Sequence, residues 1–376
     1  MTTKRSFPFC TFAAMLGKLD RYIIGKFLKT FFFAVLIFSL VSAIIDWSEK
    51  VERFIESDIS KMEIAFEYFP TFLLFILGLL WPMLSLIAVI FFTSRMANNS
   101  EIISILNAGV SFRRLLRPYM VAAGFLTLLY LIGIHFLIPK ANDHRMYLDR
   151  VYFSRARDEG KIRNVHMYVA PETKVYINFF RKRDSTARDF RLETYRGAEL
   201  IAMTKAKSAE WIEAPNRWRL TNYEIRTFDG PNETLINGLG KSLDTTVNLD
   251  PGDFIDYRDQ HTSFTTPELM AYIQKQKGRG AGNVRRYEVE LARRTAEPFT
   301  VFILTLIGVA VAGRKVRGGM GIQLATGMFI GALFVFLSRF SATISEASGL
   351  PVYLGMWLPN LIFMAAAAWF ISKAQK

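Results

Sequence analysis

Few stretches of this sequence place reactive residue types at spacings that do chemistry, and most of those fail at one position. Gly240-Lys241-Ser242 matches the end of a phosphate-cradling loop, in which backbone amides and a lysine hold a nucleotide's phosphates. Such a loop needs an earlier glycine at the position held here by Leu235. Gly278, Gly280 and Gly282 do not follow a strand with dinucleotide-binding spacing, and read as a hinge. His135, His144, His166 and His261 show no metal-ligand spacing. The one cysteine, Cys10, permits no internal disulfide and makes a thiolate metal site unfavourable. No catalytic residue, metal or cofactor is therefore expected. Binding chemistry remains. One candidate is the run from Ser100 through Glu101, Ile102, Ile105 and Leu106 to Gly109, followed by Arg113, Arg114 and Arg117. The other is a set of cations beside apolar stretches, Lys50, Arg53 and Arg339, suited to contacting phosphates.

The elements that must hold these residues are apolar helices. Of 376 residues, 51% are hydrophobic, the mean hydropathy is +0.20 and there are 33 Phe, which is a membrane composition. Six stretches, at about 27–45, 66–94, 119–138, 298–313, 321–343 and 354–371, are long enough to cross a hydrocarbon core of about 20 helical residues. The fourth is short when counted from Pro298, and Ala296 and Ala292 extend it. The first lacks a small-residue cleavage site and reads as a retained helix. Span interiors are almost free of charge.

Charge in the short loops sets the orientation. Residues 1–29 carry Lys4, Arg5, Lys18, Arg21, Lys26 and Lys29 against Asp20, whereas 46–63 is mainly acidic. Loop 95–117 is basic again, as is loop 314–320 with Arg314, Lys315 and Arg317, while 344–353 has only Glu346. This alternation follows the positive-inside rule with both termini in the cytoplasm. The net charge of +14 thus lies at membrane edges and not on one water-facing patch, which argues against nucleic acid as a partner. Segment 139–297 must lie outside the cytoplasm.

That segment has a strand-like texture. Val175, Ile177 and Phe179 alternate with Tyr176, Asn178 and Phe180, and runs follow at 190–196, 199–205, 207–213 and 217–228. Turn clusters such as Asp229-Gly230-Pro231-Asn232 separate them. The pattern predicts a sandwich, jelly roll or barrel. Trp218 and Leu220 share one face and Tyr223 and Ile225 the other, which places a bulge near Asn222. Thr266-Pro267-Glu268 reads as a helix start with Thr266 as cap, and the helix ends near Gly278. A basic helix from about Val284 leads into the fourth span. Four regions result: a membrane half over 1–138, a β domain over 139–262, a helical linker over 263–297 and a second membrane half over 298–376.

The loop between the second and third spans predicts a short helix over about 100–108. Ser100 can cap it, Glu101 suits its positive end and Gly109 stops it. Ile102, Ile105 and Leu106 form an apolar stripe on a helix too short to span. It either lies on the membrane surface, with Arg113, Arg114 and Arg117 at headgroups, or docks into a groove on a cytoplasmic partner.

In order along the chain, Leu19-Asp20-Arg21-Tyr22-Ile23, Ser100-Glu101-Ile102 through Ala108-Gly109, Arg113, Pro118, Tyr287, Glu290, Arg294, Pro298 and Gly349-Leu350-Pro351 resemble the lipopolysaccharide export permeases of the LptF/LptG (YjgP/YjgQ) family. The resemblance covers nearly the whole chain. It implies an α-helical polytopic inner-membrane protein of three plus three spans with a periplasmic β-jelly-roll insert. It further implies the permease subunit of an ABC-type exporter, paired with a paralogous permease. Two copies of a cytoplasmic ATPase would bind coupling helices, here Glu101, Ile102, Ile105, Leu106, Gly109 and Arg113. Lipopolysaccharide would enter sideways between the first span of one permease and the fifth of its partner, then pass through the β domain to a periplasmic bridge protein. Candidate gate residues are Lys50, Arg53, Arg339, Phe31, Phe38 and Phe334. Asp46 stands where family members often carry a basic residue.

A physical constraint favours this architecture. Each buried methylene is worth roughly 0.8 kcal/mol, so a 12-carbon acyl chain costs on the order of 10 kcal/mol to expose to water. The route for a multi-chain lipid must stay apolar. The alternatives are a secondary transporter for a small solute, which usually carries midplane ionisable groups, and a receptor or scaffold without transport.

Overall fold

The computed structural model describes residues 17–57, 59–153, 163–254, 260–280, 284–314, 319–347 and 350–374. Lys4, Arg5, Cys10, Gly282, Lys315, Arg317 and Gly349, used in the sequence reading, lie outside them. The chain divides into two compact units, one from residues up to Leu148 together with Val289 onward, the other from Asp149 to Glu288.

Among the described residues six apolar helices are long enough to cross a membrane, and the first unit holds the greater part of each. They are α1 (Lys18–Glu56), α2 (Lys61–Asn98), α4 (Phe112–Tyr152), α6 (Arg285–Ala312), α7 (Gly319–Ala347) and α8 (Val352–Ala374), with the short α3 (Glu101–Asn107) between α2 and α4. Most helices run beyond the apolar windows because flanking polar residues continue the helical hydrogen bonds. α2 is central, with Leu84, Leu86, Ala88, Val89 and Ile90 all buried. Neighbours approach it through glycines, as membrane helices do where apolar burial alone gives no preference for contact. A Cβ on Gly308 of α6 would stand 2.4 Å from Val89, and one on Gly327 of α7 would stand 2.0 Å from Ile90. Those backbones can pack there only without a side chain.

The second unit is built on a six-stranded antiparallel sheet whose strands pair in chain order. They are β1 (Arg163–Ala170), β2 (Thr173–Arg181), β3 (Thr186–Arg196), β4 (Glu199–Glu213), β5 (Arg217–Asp229) and β6 (Asn232–Thr246). Each strand pairs with the next, as in a meander. The runs at 199–205 and 207–213 are one strand, because Ala206 continues the pairing across the polar break, opposite Tyr223. The Gly240-Lys241-Ser242 run lies within strand β6, with Gly240 left-handed at φ +73° beside the bulge, and not in a phosphate loop. The expected bulge is present. Asn222 has φ 53°, the β5–β6 register shifts there, and its Oδ1 accepts the Gly240 N–H at 2.8 Å.

One sheet face carries the core: Ile177, Phe190 and Ala206 along one row, with Phe180 stacked on Phe254 at 3.8 Å between centroids. Trp218 is buried and its Nε1 donates to the Leu249 carbonyl at 2.8 Å. Toward β6 this face opens. The row of Val175, Leu192, Thr204 and Ile225 ends at Ile236, which is exposed. The helix α5 (Thr266–Gly278) follows. Its cap is Thr265, not Thr266, and Glu268 closes a capping box by accepting the Thr265 N–H at 2.8 Å. Thr266 is displaced to the first helical position because Pro267 fits the next one. Beyond the helix, buried Arg279 donates to Asp253 at 2.7 Å. Burial pushes the Asp253 carboxyl up, but the Arg279 guanidinium outweighs it and holds the group below its usual range.

Candidate functional sites in the membrane unit

The short helix α3 begins after Ser100, whose backbone is left-handed at φ 61° and whose side chain makes no cap. Ser100 therefore supplies the sharp turn out of α2 and not the expected hydroxyl cap. Gly109, at φ +84°, ends the helix as expected, with its N–H on the Leu106 carbonyl. Ile102 is buried in the main core and Ile105 packs half-buried against it. These two fasten the helix to the bundle and do not present a docking surface. Leu106 is exposed, and so is Ile103, which the stripe reading missed. Glu101 is tied within the chain: Tyr22 Oη donates to its Oε2 at 3.0 Å and Asn99 Nδ2 to its Oε1 at 3.3 Å.

Arg113 is exposed and makes no ion pair among the described residues. Its neighbour Arg114 makes the important contact. Two guanidinium nitrogens of Arg114 reach the two carboxylate oxygens of Asp20, both at 2.7 Å, and the Asp20 side chain is only 3% exposed. Such a bidentate pair is among the stronger polar contacts a protein makes.

At its other end α1 carries Asp46 and Lys50 one turn apart. Lys50 Nζ lies 2.9 Å from Asp46, contacts the Tyr68 hydroxyl and sits 5.0 Å from that ring's centroid. The Tyr68 hydroxyl donates to Asp46 at 2.8 Å. Asp46, which stood out against the family pattern, is thus the counter-ion of Lys50. Arg53 is exposed, with no ion pair among the described residues.

The third cluster lies on α6 and was legible only as family-like positions. Glu290 accepts from Arg293 at 2.9 Å and from Arg294 at 2.8 Å, and Arg293 also contacts Glu297. Glu290 and Arg294 are buried. Spacings of three and four residues place all four charges on one side of the helix. Pro298 shortens the next turn to a 3-10 helix, leaving the Ala296 carbonyl to be taken by Asn360 of α8 at 2.7 Å. Beside this turn, Arg293, Glu297, Thr300, Phe334, Arg339 and Asn360 line a small cleft. Arg339 is exposed at its mouth, not covered by the rest of the chain.

The aromatic candidates divide. Phe31 is buried against Trp81, with ring centroids 4.9 Å apart, and Phe334 is buried against Phe363 at 5.1 Å. Both are packing residues, although Phe334 also reaches the cleft wall. Phe38 is exposed.

Residues 21–373 match the family model described as the lipopolysaccharide export system permease LptF/LptG. The chain belongs to the LptF/LptG family. It is also similar to the lipopolysaccharide export system permease protein LptG of Haemophilus influenzae, at 22% identity over 369 residues, covering 96% of this chain and 99% of that protein. Membership in the LptF/LptG family makes this a multi-pass membrane permease component of an export system, with an antiparallel β sheet inserted between its helices.

Proposed function

We propose that the chain is the membrane subunit of an ABC-type lipopolysaccharide exporter, which takes the glycolipid from the inner membrane and passes it to its own β domain. The observation that carries this is the first span. From Phe32 to Ile45 none of its residues is buried, although the unit around it is well packed. A long apolar surface of this kind is covered by lipid, by a partner, or by both in turn. A lipid gate needs that property.

In this reading the termini, α3 and the 314–320 loop face the cytoplasm, and the 139–297 segment faces the periplasm. A paralogous permease covers part of α1, and two copies of a separate ATPase dock on the coupling helices. On this chain Leu106, Ile103 and the outer edge of Glu101 supply the contact. Lys50, Arg53 and Arg339 meet lipid phosphates near the outer leaflet. The sheet face that opens at Ile225 and Ile236 keeps acyl chains out of water beyond the membrane, and a periplasmic bridge protein of the same β kind receives them.

Copurification followed by mass spectrometry tests the assembly, and an ATPase that does not come down with the chain refutes it. Reporter fusions at Asn232 and Lys376 give opposite compartment signals if the orientation is right. Glu101→Lys weakens ATPase binding by roughly 2–5 kcal/mol if its carboxylate is desolvated in the dock. Unchanged ATPase recovery with this variant makes α3 a surface helix only.

A further inference from the structure

The opening motif of the family resemblance, Leu19 to Ile23, is assigned no role in the gate or the dock, yet two of its side chains make polar contacts with residues far along the chain. Asp20 receives Arg114, 94 residues away, and Tyr22 donates to Glu101, 79 residues away. The partners bracket α3. Glu101 is its first residue, and Arg114 lies in the first turn of α4, just past the loop that follows it. Both ties end on a single turn of α1. The short helix lies between α2 and α4 in sequence, but its polar tethers cross to the first span.

We infer that Asp20–Arg114 and Tyr22–Glu101 form a two-point clasp that makes α3 and the first span move as one body. A displacement of α3 is thereby delivered to the exposed part of α1. Asp20 is built for the task. Its Oδ2 also accepts the Gly17 N–H at 3.1 Å, so the carboxylate is fixed to the start of α1 before it binds Arg114. Ile102, next to Glu101, is seated in the same buried cluster as Ile23 and Phe27, so the polar ties have an apolar floor. Beyond Phe31 no residue of α1 is buried until Asp46. The helix is continuous across that gap. From Asp20 to Phe38 it spans about 27 Å at 1.5 Å per residue. A tilt imposed at the clasp is carried along a stiff rod to the surface proposed to meet lipid.

The clasp rests on the exporter reading, and its test separates the two. The complete complex, with Cys10→Ser and a photoreactive residue in place of Phe38, is reconstituted with lipopolysaccharide. Crosslinking of the lipid is measured with and without ATP, beside ATP hydrolysis. In the parent complex ATP changes the crosslinking yield. Tyr22→Phe removes one hydroxyl and Asp20→Asn one charge; each leaves hydrolysis running but cuts the ATP-dependent change about fivefold or more, the low end of typical coupling between sites. Asp20→Glu, which keeps a carboxylate for Arg114 and for the Gly17 N–H, keeps the response. If Tyr22→Phe and Asp20→Asn both respond as the parent does, the clasp is refuted while the exporter reading stands. If Asp20→Glu loses the response as completely as Asp20→Asn, the clasp is likewise refuted. A parent complex that crosslinks no lipid, or shows no effect of ATP, overturns the exporter reading and the clasp with it.

Discussion

Along the most apolar window of α1, 6% of residues are buried within the protein, whereas along that of α6 the share is 67%. Both helices are apolar enough to span, so hydropathy alone does not separate them. Their anchoring differs. α6 sits against α2, with Gly308 admitting Val89, and carries a buried charge network at its entry. α1 is fixed at its two ends, by Asp20 and Tyr22 with the buried Ile23, Phe27 and Phe31 at one and by Asp46 and Lys50 at the other, and none of its residues from Phe32 to Ile45 is buried. The contrast separates a helix that holds the unit together from one whose middle is left for something else to cover.

The strongest way to break this comparison is to remove the acid at the centre of the α6 network. Glu290→Ala leaves Arg294, which is 1% exposed, without a carboxylate it now contacts at 2.8 Å. Removing one partner of a buried ion pair typically costs about 3–5 kcal/mol. The expected outcome is loss of folded protein in detergent, read by size exclusion and thermal unfolding. Glu290→Gln keeps the shape and some hydrogen bonding and loses less. A variant as stable as the parent would mean that the network is not what fixes α6.

A smaller effect separates two positions on α1 itself. Phe31→Ala empties a site against Trp81, and Phe38→Ala changes a surface. In a bilayer the unfolded reference is also apolar, so the cost of Phe31→Ala is mainly the cavity and the lost packing, on the order of 2 kcal/mol. Phe38→Ala should fall within about 0.5 kcal/mol of the parent. Thermal unfolding of the two variants side by side measures the difference. Equal destabilisation would mean that the middle of α1 is packed after all.

How much of this was legible in the sequence follows from the kind of interaction involved. The six spans and the basic loops are read directly, because apolar length and charge bias are local properties. The bulge at Asn222 was also legible, since Trp218 and Leu220 change phase against Tyr223 and Ile225. β1 and β6 were not read as strands. β6 is an edge strand carrying Gly238, over which the Tyr223 ring lies, and Gly240 at positive φ, so its alternation is broken where the fold needs room. Among the site residues, Gly109 and the existence of α3 were legible. The inward turn of Ile102, the choice of Arg114 over Arg113 and the pairing of Asp46 with Lys50 depend on helices far apart in sequence, and no local period encodes them.

The next test compares the two cations at the C-terminal end of α1 with the one on α7. Lys50→Ala/Arg53→Ala removes the cationic partner of Asp46, whose side chain is 7% exposed and among the described residues then keeps the Tyr68 hydroxyl. A destabilisation of about 1–2 kcal/mol is expected from the weakened polar cluster, together with reduced photocrosslinking of lipopolysaccharide to α1. Rescue of stability by adding Asp46→Asn, without rescue of crosslinking, would divide the structural role of Lys50 from its contact with lipid.

Arg339→Ala should have the smallest effect on folding and is the cleanest test of lipid contact. The guanidinium is exposed and makes no hydrogen bond or ion pair among the described residues. Its removal should change stability by no more than about 0.5 kcal/mol. Its position gives it a reason to be there. Arg339 lies twenty residues from Gly319, the start of α7, so about 30 Å along the helix at 1.5 Å per residue, which is one hydrocarbon thickness. A cation at that depth reaches headgroup phosphates, and the cleft behind it already pairs its own charges, Arg293 with Glu297 and Glu290. Arg339 feels the Glu297 carboxylate of that cleft only at a distance, without a direct ion pair among the described residues, and its exposed guanidinium can still meet a ligand. Lipopolysaccharide crosslinking should fall with Arg339→Ala, be largely retained with Arg339→Lys, and leave ATPase assembly unchanged. Full crosslinking by the alanine variant would reduce Arg339 to a residue that only snorkels to ordinary headgroups.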